Sequence, residues 1–90
     1  MRFEWDAIKA ASNLAKHGVS FEEAATVFRD PLSATSEDPD HSLGEERLIS
    51  FGVSVSGRLL VVAHTDRRDT IRIISARPAS AGERKIYEEG

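Results

Sequence analysis

The stretch Thr70-Ile71-Arg72-Ile73-Ile74-Ser75-Ala76-Arg77 decides the fold. β-Branched residues dominate it and turn-forming residues precede it, which marks a β-strand. Two arginines ride on it. A guanidinium is costly to bury without a partner, so Arg72 inside the apolar run is either an ion-pair anchor or a group aimed at an anionic ligand. Upstream lie two more strand candidates, Glu46 to Val53 and Arg58 to Thr65. Ser56-Gly57 separates them, and Asp66-Arg67-Arg68-Asp69 leads into the third. Links this short favour antiparallel pairing.

Pairing Val55 with Arg58 and Thr65 with Thr70 sorts the side chains into two faces. One collects Ile49, Phe51, Val53, Leu60, Val62, Ile71 and Ile73 and should receive the helices. The other collects Glu46, Leu48, Ser50, Gly52, Leu59, Val61, Ala63, Thr65, Arg72 and Ile74. In this register Arg72 is expected to pair with Glu46 across the sheet. Arg77, at the strand end, is expected to be freer to reach a ligand. His64 falls on the core face, as a satisfied core histidine. The second face is apolar enough that a partner chain or a ligand is expected to cover it.

Towards the N-terminus, Phe3-Glu4-Trp5 reads as an edge strand or extended lead-in. Asp6 has the chemistry of an N-cap for a helix from Ala7 to about His17, and Gly18 suits its C-terminal cap. Ile8, Ala11, Leu14 and Ala15 recur at helical spacing and are expected to face the core. Lys16 and His17 fall in the last turn, where cations suit the helix dipole. Ser20-Phe21-Glu22-Glu23 is a capping box that opens a second helix, closed by Asp30-Pro31. Leu32 to Thr35 is a short strand candidate, and Ser36 to Gly44 a polar loop with a turn at Asp38-Pro39. Ser80-Ala81-Gly82-Glu83 caps a third helix, which Ile86 and Tyr87 would dock. The expectation is an α+β fold: two N-terminal helices and a C-terminal helix packed on an antiparallel β-sheet, as a single domain over residues 1–90.

Ninety residues, 40% hydrophobic and 30% charged, suit one small soluble domain with a single core. There is no cysteine, which removes disulfide and thiolate chemistry. No apolar run reaches membrane-spanning length. The opening Met1-Arg2-Phe3-Glu4-Trp5-Asp6 is not signal-peptide-like, so a cytoplasmic location is expected. Net charge is -3, but it is unevenly spread. Eight acids and one arginine occupy residues 20–46, whereas five arginines (Arg58, Arg67, Arg68, Arg72, Arg77) face two aspartates over 58–77. Clustered arginine suits phosphate more than the total charge does, which makes Arg67 and Arg68 RNA-binding candidates.

The acids Glu37, Asp38, Asp40, Glu45 and Glu46, with His41, match no calcium loop, and His17, His41 and His64 form no zinc pairing. No metal or cofactor is therefore expected. Neither a nucleophile elbow nor a phosphate-binding glycine loop occurs. Metal-independent RNA cleavage fits better. It needs a base for the 2′-hydroxyl, cations for the crowded phosphate and an acid for the leaving oxygen. Glu46, Arg72 and Arg77 are expected on strands, with Lys16 and His17 approaching a sheet edge.

The chain also resembles the BrnT family of toxins. The resemblance is carried by Phe3-Glu4-Trp5-Asp6, by Asn13 with Lys16-His17-Gly18-Val19-Ser20-Phe21-Glu22-Glu23-Ala24, by Val27-Phe28 with Asp30-Pro31, by Glu45-Glu46-Arg47, by Leu60-Val61-Val62, by Ile71 to Arg77, and by Glu83-Arg84 with Tyr87. It implies a RelE-like fold and a translation-blocking ribonuclease of a bacterial type II toxin–antitoxin module. It also implies a BrnA-like antitoxin as partner, commonly in a heterotetramer that meets operator DNA only through the antitoxin and represses its own operon. Carried onto this sequence, Arg72 and Arg77 would hold the phosphate. Glu46 would act as the base or orient it, Arg47 would assist, and His17 would be the acid. The rival expectation is a non-catalytic protein-binding module, or a decayed toxin that works only within a repressor complex.

Overall fold

The computed structural model describes residues 1–38 and 46–89. Asp40, His41 and Glu45 of the acidic segment, and the turn at Pro39, lie outside the described residues. In chain order the elements are β1 (Arg2–Glu4), α1 (Ala7–His17), α2 (Phe21–Thr26) running into a 3-10 turn (Val27–Arg29), β2 (Ala34–Glu37), β3 (Leu48–Val53), β4 (Leu59–Arg67), β5 (Thr70–Pro78) and α3 (Ala81–Glu89). The strands form one sheet in the order β1-β5-β4-β3-β2. β1 runs parallel to β5 while the other pairs are antiparallel. The sheet is therefore mixed, not antiparallel as expected. The helices α1 and α2 carry the chain from β1 to β2 at the opposite edge of the sheet, and the antiparallel run β2-β3-β4-β5 then comes back to lie beside β1 in the parallel sense.

Local signals at the helix ends behave as the sequence indicates. The Asp6 carboxylate accepts from the Ile8 and Lys9 amides at 2.8 and 3.1 Å. Gly18 closes α1 in the left-handed region, with φ 68°. Ser20 Oγ accepts from the Glu23 amide at 3.0 Å. Glu23 does not reach back to Ser20 but crosses to the β3–β4 loop, where it binds Arg58, Ser54 and Ser56. The Arg58 guanidinium, with the two hydroxyls, holds the Glu23 carboxyl down at about 2.

The face of α1 that enters the molecule is not the apolar stripe. Ile8 is 82% exposed and Leu14 52%. The buried residue of α1 is Asn13. Its amide donates to the Val19 and Ala76 carbonyls at 2.9 and 2.8 Å and accepts from the Ala76 amide at 3.1 Å. Three hydrogen bonds at one buried carboxamide fix the rotation of the helix, and the stripe turns to solvent as a consequence.

The expected strand register also needs correction. Val53 pairs with Leu59, and the Ser54 amide bonds the Arg58 carbonyl at 2.8 Å. The β3–β4 loop is longer than a two-residue turn. It folds the Gly57 amide back onto the Ser54 carbonyl at 2.9 Å, with Gly57 at φ 85°. That shifts β3 by one residue and turns all of its side chains over. Ile49, Phe51 and Val53 therefore lie on the second face, and Leu48, Ser50 and Gly52 on the helix face. Gly52 is needed there: a Cβ would lie 2.7 Å from Val27 Cγ1 and 3.1 Å from the Val27 carbonyl oxygen. Leu60, Val62, Ile71 and Ile73 face α1 and α2 as expected, in a core with Val19, Phe21, Ala24, Val27 and Ala76.

The third helix sits on the other side of the sheet. Ile86 and Tyr87 border a cavity of about 330 Å3 with Leu32, Ala34, Ser36 and Phe51. Tyr87 docks through its hydroxyl, which donates to Asp30 Oδ2 at 2.5 Å, whereas Ile86 stays exposed.

Replacing Asn13 by alanine strands three buried backbone groups, each costing about 1–3 kcal/mol. Asn13→Ala is therefore expected to lower the urea unfolding free energy by about 3 kcal/mol, whereas Leu14→Ala, on the exposed stripe, should change it little.

Candidate functional site

The arginine-bearing strand contains an irregularity that decides where its side chains go. His64 pairs with Ile73, but Ala63 pairs with Ser75, so Ile74 is an extra residue opposite β4. Such a bulge re-aims the side chains beyond it. Arg72, opposite Thr65, and Arg77, opposite Val61, thereby share the second face. In a regular strand, residues five apart would point to opposite sides. The same bulge lets both Ile73 and Ala76 enter the core.

The two arginines have different surroundings. Arg77 is clamped: its two terminal nitrogens donate to the two Glu83 oxygens at 2.7 and 2.8 Å. Glu83 is itself set by a reciprocal capping box with Ser80 at the start of α3. The Arg77 guanidinium holds the Glu83 carboxyl at about 2 against an ordinary 4.5, and Glu83 raises the Arg77 guanidinium. Arg77 is thus not freer than Arg72. Arg72 makes one long contact, 3.4 Å to Glu4, with both side chains substantially exposed. An exposed pair of that length contributes little and yields easily to another anion. The partner is Glu4 and not Glu46, because Glu46 lies outside β3 and is exposed.

Register places more charge around Arg72. Glu4, Arg72 and Thr65 stand side by side on β1, β5 and β4, and Arg2, Thr70 and Arg67 form the next row. Continuing the β3 register by one residue brings Arg47 beside Thr65. The Asp38 amide bonds the Arg47 carbonyl at 2.9 Å, which extends the same line. Arg68 occupies the β4–β5 turn in the left-handed region, φ 58°, a conformation costing on the order of 1 kcal/mol for a non-glycine residue. Thr65 is 5% exposed, and its Oγ1 has no hydrogen-bond partner among the described residues. A buried hydroxyl left this way costs about 1–3 kcal/mol.

Other sequence candidates stand apart. Lys16 and His17 end α1, next to Gly18, whose carbonyl accepts from Arg58 at 3.0 Å. They lie on the helix side of the sheet, towards the β3–β4 loop, and do not join Arg72 in one site. His64 is a satisfied core histidine. Its Nε2 meets Ser50 Oγ at 2.8 Å, its Nδ1 meets Asp66 Oδ1 at 2.6 Å, and its ring lies edge-on to Phe28 at 4.9 Å. Ser50–His64–Asp66 has the order of a catalytic triad, but Ser50 lies on the helix-covered face of the sheet with its Oγ already engaged by Thr35 and His64, so it presents no nucleophile to a substrate. Among the described residues no three His, Asp or Glu side chains are grouped to hold a metal ion.

Sequence reasoning missed Arg2 and Glu4 as members of the arginine face, and it placed Thr65 there without giving it a role. The alternation Arg2-Phe3-Glu4-Trp5 is the signal for the first two: Phe3 and Trp5 pack on the core, which turns Arg2 and Glu4 outward. For Thr65 the signal is faint, a hydroxyl where an apolar strand residue would serve.

A family model described as the ribonuclease toxin, BrnT, of type II toxin–antitoxin systems matches residues 5–83. This chain belongs to the BrnT family. As a BrnT-family member it is a ribonuclease toxin by kinship, and a type II module implies an antitoxin partner. Its fold is similar to that of the Brucella abortus ribonuclease toxin BrnT, seen in a crystal structure. The TM-score is 0.64 at 24% identity, over 89% of this chain and 97% of that one. Comparison with curated protein sequences gives no match. No helix of the described residues is long and apolar enough to cross a membrane.

The Arg77–Glu83 clamp carries a pH signature. A carboxyl lowered to about 2 stabilises the fold fully above its ordinary 4.5, and that contribution disappears as the pH falls through 2. Protection of the amides in the first turn of α3, taken relative to the intrinsic exchange rate at each pH, is expected to fall over that window. In Glu83→Gln it should already be low at neutral pH and fall no further on acidification.

Proposed function

We propose that this chain cleaves RNA without a metal ion, on the second face of its sheet. The observation that carries the reading is the bulge at Ile74, which brings Arg72 and Arg77 onto one face. Arg72 is the principal phosphate-binding group, because its present partner is the weakest of the arginine ion pairs described above. Arg77 lies roughly 15 Å along the strand, too far to share one phosphate, and holds the RNA backbone further on. Arg47, Arg67 and Arg68 extend the cationic surface. The attacking 2′-hydroxyl gives its proton to a carboxylate at the rim of this face, Glu46 beside Arg47 or Glu4 beside Arg72. As the 2′-oxygen–phosphorus bond forms, the bond from phosphorus to the 5′-oxygen breaks, and the 5′-oxygen leaves as a hydroxyl by taking the proton back from that carboxylic acid. The arginines stabilise the charge that builds on the phosphate. His17 and Lys16 face the other side and take no part in this step.

Family kinship supports the remaining terms of the proposal. A BrnA-like antitoxin neutralises the chain in the cytoplasm, and the complex, a heterotetramer, represses its operon through the antitoxin's contact with DNA. A RelE-like mode of action belongs to the same reading. The exposed apolar residues Ile8, Leu14, Leu32 and Ile86 favour a second reading, in which binding to a partner is the whole activity.

Expression of the chain alone, with growth and RNA integrity followed, separates the two. The expected result is growth arrest with RNA cleavage, rescued by the co-expressed antitoxin. In purified protein, Arg72→Ala is expected to slow cleavage by about 100-fold, with an unchanged circular dichroism spectrum. An Arg72→Ala variant that stayed fully toxic would place the site elsewhere.

A further inference from the structure

We propose that the cross-sheet row Asp38–Arg47–Thr65–Arg72–Glu4 is the seat of a single phosphoryl group, with the Thr65 hydroxyl as the central donor. The inference rests on the reading that RNA lies on the second face, and it names the subsite and the group at its centre.

Thr65 is the anomaly that starts the argument. The second-face residues before it on β4 are Leu59, Val61 and Ala63, all apolar. A valine would suit the strand equally well and would leave no hydroxyl buried without a partner. The unmatched Oγ1 is closed from solvent in the resting fold and stands between two guanidinium-bearing positions, so a phosphate meets it when the half-exposed Arg72 side chain leaves Glu4 and swings aside. Arg72 is its register partner on β5, and Arg47 is its neighbour on the β3 side. Adjacent strands lie about 4.8 Å apart, so two arginines flanking a threonine enclose the width of one tetrahedral oxyanion, with a short donor in the middle and a long cationic side chain on each flank.

The ends of the row define the ligand further. Both are acidic. Asp38 is buried and has an interaction of its own, and Glu4 makes the long contact to Arg72. Glu4 orients the Arg72 guanidinium without filling the centre, and Asp38 places a second negative charge at the other end of the row. They would also repel any phosphate beyond it, so a polyanion cannot run across the strands. Along the strands the charges permit passage. Arg2 and Arg67 form the row on one side of the seat, and Arg77 stands on the other. The RNA backbone therefore runs parallel to β5, from the Arg2 end past Thr65 and Arg72 towards Arg77.

The test is a calorimetric titration of wild type, Thr65→Val and Thr65→Ser with two probes, inorganic phosphate and a short all-2′-deoxy oligonucleotide that the 2′-hydroxyl chemistry cannot cleave. Thermal melts are run in phosphate-free buffer. Wild type and Thr65→Ser are expected to bind both probes alike, and Thr65→Val to bind each about tenfold more weakly, the loss of one hydrogen bond to a charged group. The Tm of Thr65→Val should be unchanged or raised, because the hydroxyl has no partner within the fold to lose. Undiminished affinity in Thr65→Val, a lowered Tm or no binding by wild type would overturn the seat. Arg2→Ala and Arg77→Ala should weaken the oligonucleotide and leave phosphate untouched; the reverse result would overturn the path. A wild type that showed this pattern but cleaved no RNA would end the ribonuclease reading and leave the seat standing. Cleavage lost in Arg72→Ala but unchanged in Thr65→Val would do the opposite.

Discussion

The Asn13 carboxamide is the contact on which the arrangement depends. β1 covers the outer edge of β5 only from Thr70 to Arg72. Beyond that point the edge would be open, with backbone groups unpaired inside the molecule. Asn13 presents an amide oxygen and an amide nitrogen to the N–H and carbonyl of Ala76, and so pairs with β5 as a neighbouring strand's peptide would. Its second donated bond, to Val19, ties in the link between α1 and α2. One side chain therefore sets the rotation of α1, the start of α2 and the height at which both meet the sheet. The core of Phe21, Val27, Leu60 and Ile73 fills the space this defines.

Ala76 can meet Asn13 only because the bulge at Ile74 has already changed the alternation of β5. The same irregularity serves structure and function together. On the helix side it delivers Ala76 to the core, and on the other it aligns Arg77 with Arg72. The positive face is thereby separated from the hydrophobic core by the thickness of the sheet. Charged groups can hold a polyanion there without desolvating the interior. α3 closes over part of that face by two polar links, Arg77–Glu83 and Tyr87–Asp30, and buries none of its own residues. Its attachment is electrostatic, which accounts for the acid sensitivity expected at Glu83.

The sequence made some of this legible and hid the rest for identifiable reasons. Caps are local. Asp6, Ser20 and Ser80 each act within three residues, and each was readable. Strand existence was readable from β-branched runs, and the burial of His64 followed from alternation. Register was not, because it hung on whether the β3–β4 loop spent two residues or more, and Gly57 folding back on Ser54 supplied one more than the shortest turn. The α1 stripe misled because hydrophobic spacing outweighs a single asparagine in any periodicity argument, whereas in the folded chain three buried hydrogen bonds outweigh the stripe. Arg72 and Arg77 were found by residue type. Their common face depended on a bulge with no glycine or proline to announce it; Thr65 was on the Arg72 face by alternation alone, whereas Arg2 and Glu4 joined it only through pairing across distant parts of the chain.

The claim at the centre of this account is that RNA is handled on the bulge-aligned face of β5. An amide-resolved NMR titration with a 2′-O-methyl RNA, which binds but cannot react, tests it most directly. The account requires the largest shifts at Arg2, Thr65, Arg72, Ser75 and Arg77, with the outer surface of α1 unmoved. Shifts concentrated around Lys16, His17 and Arg58 would contradict it and put the substrate on the helix side of the sheet.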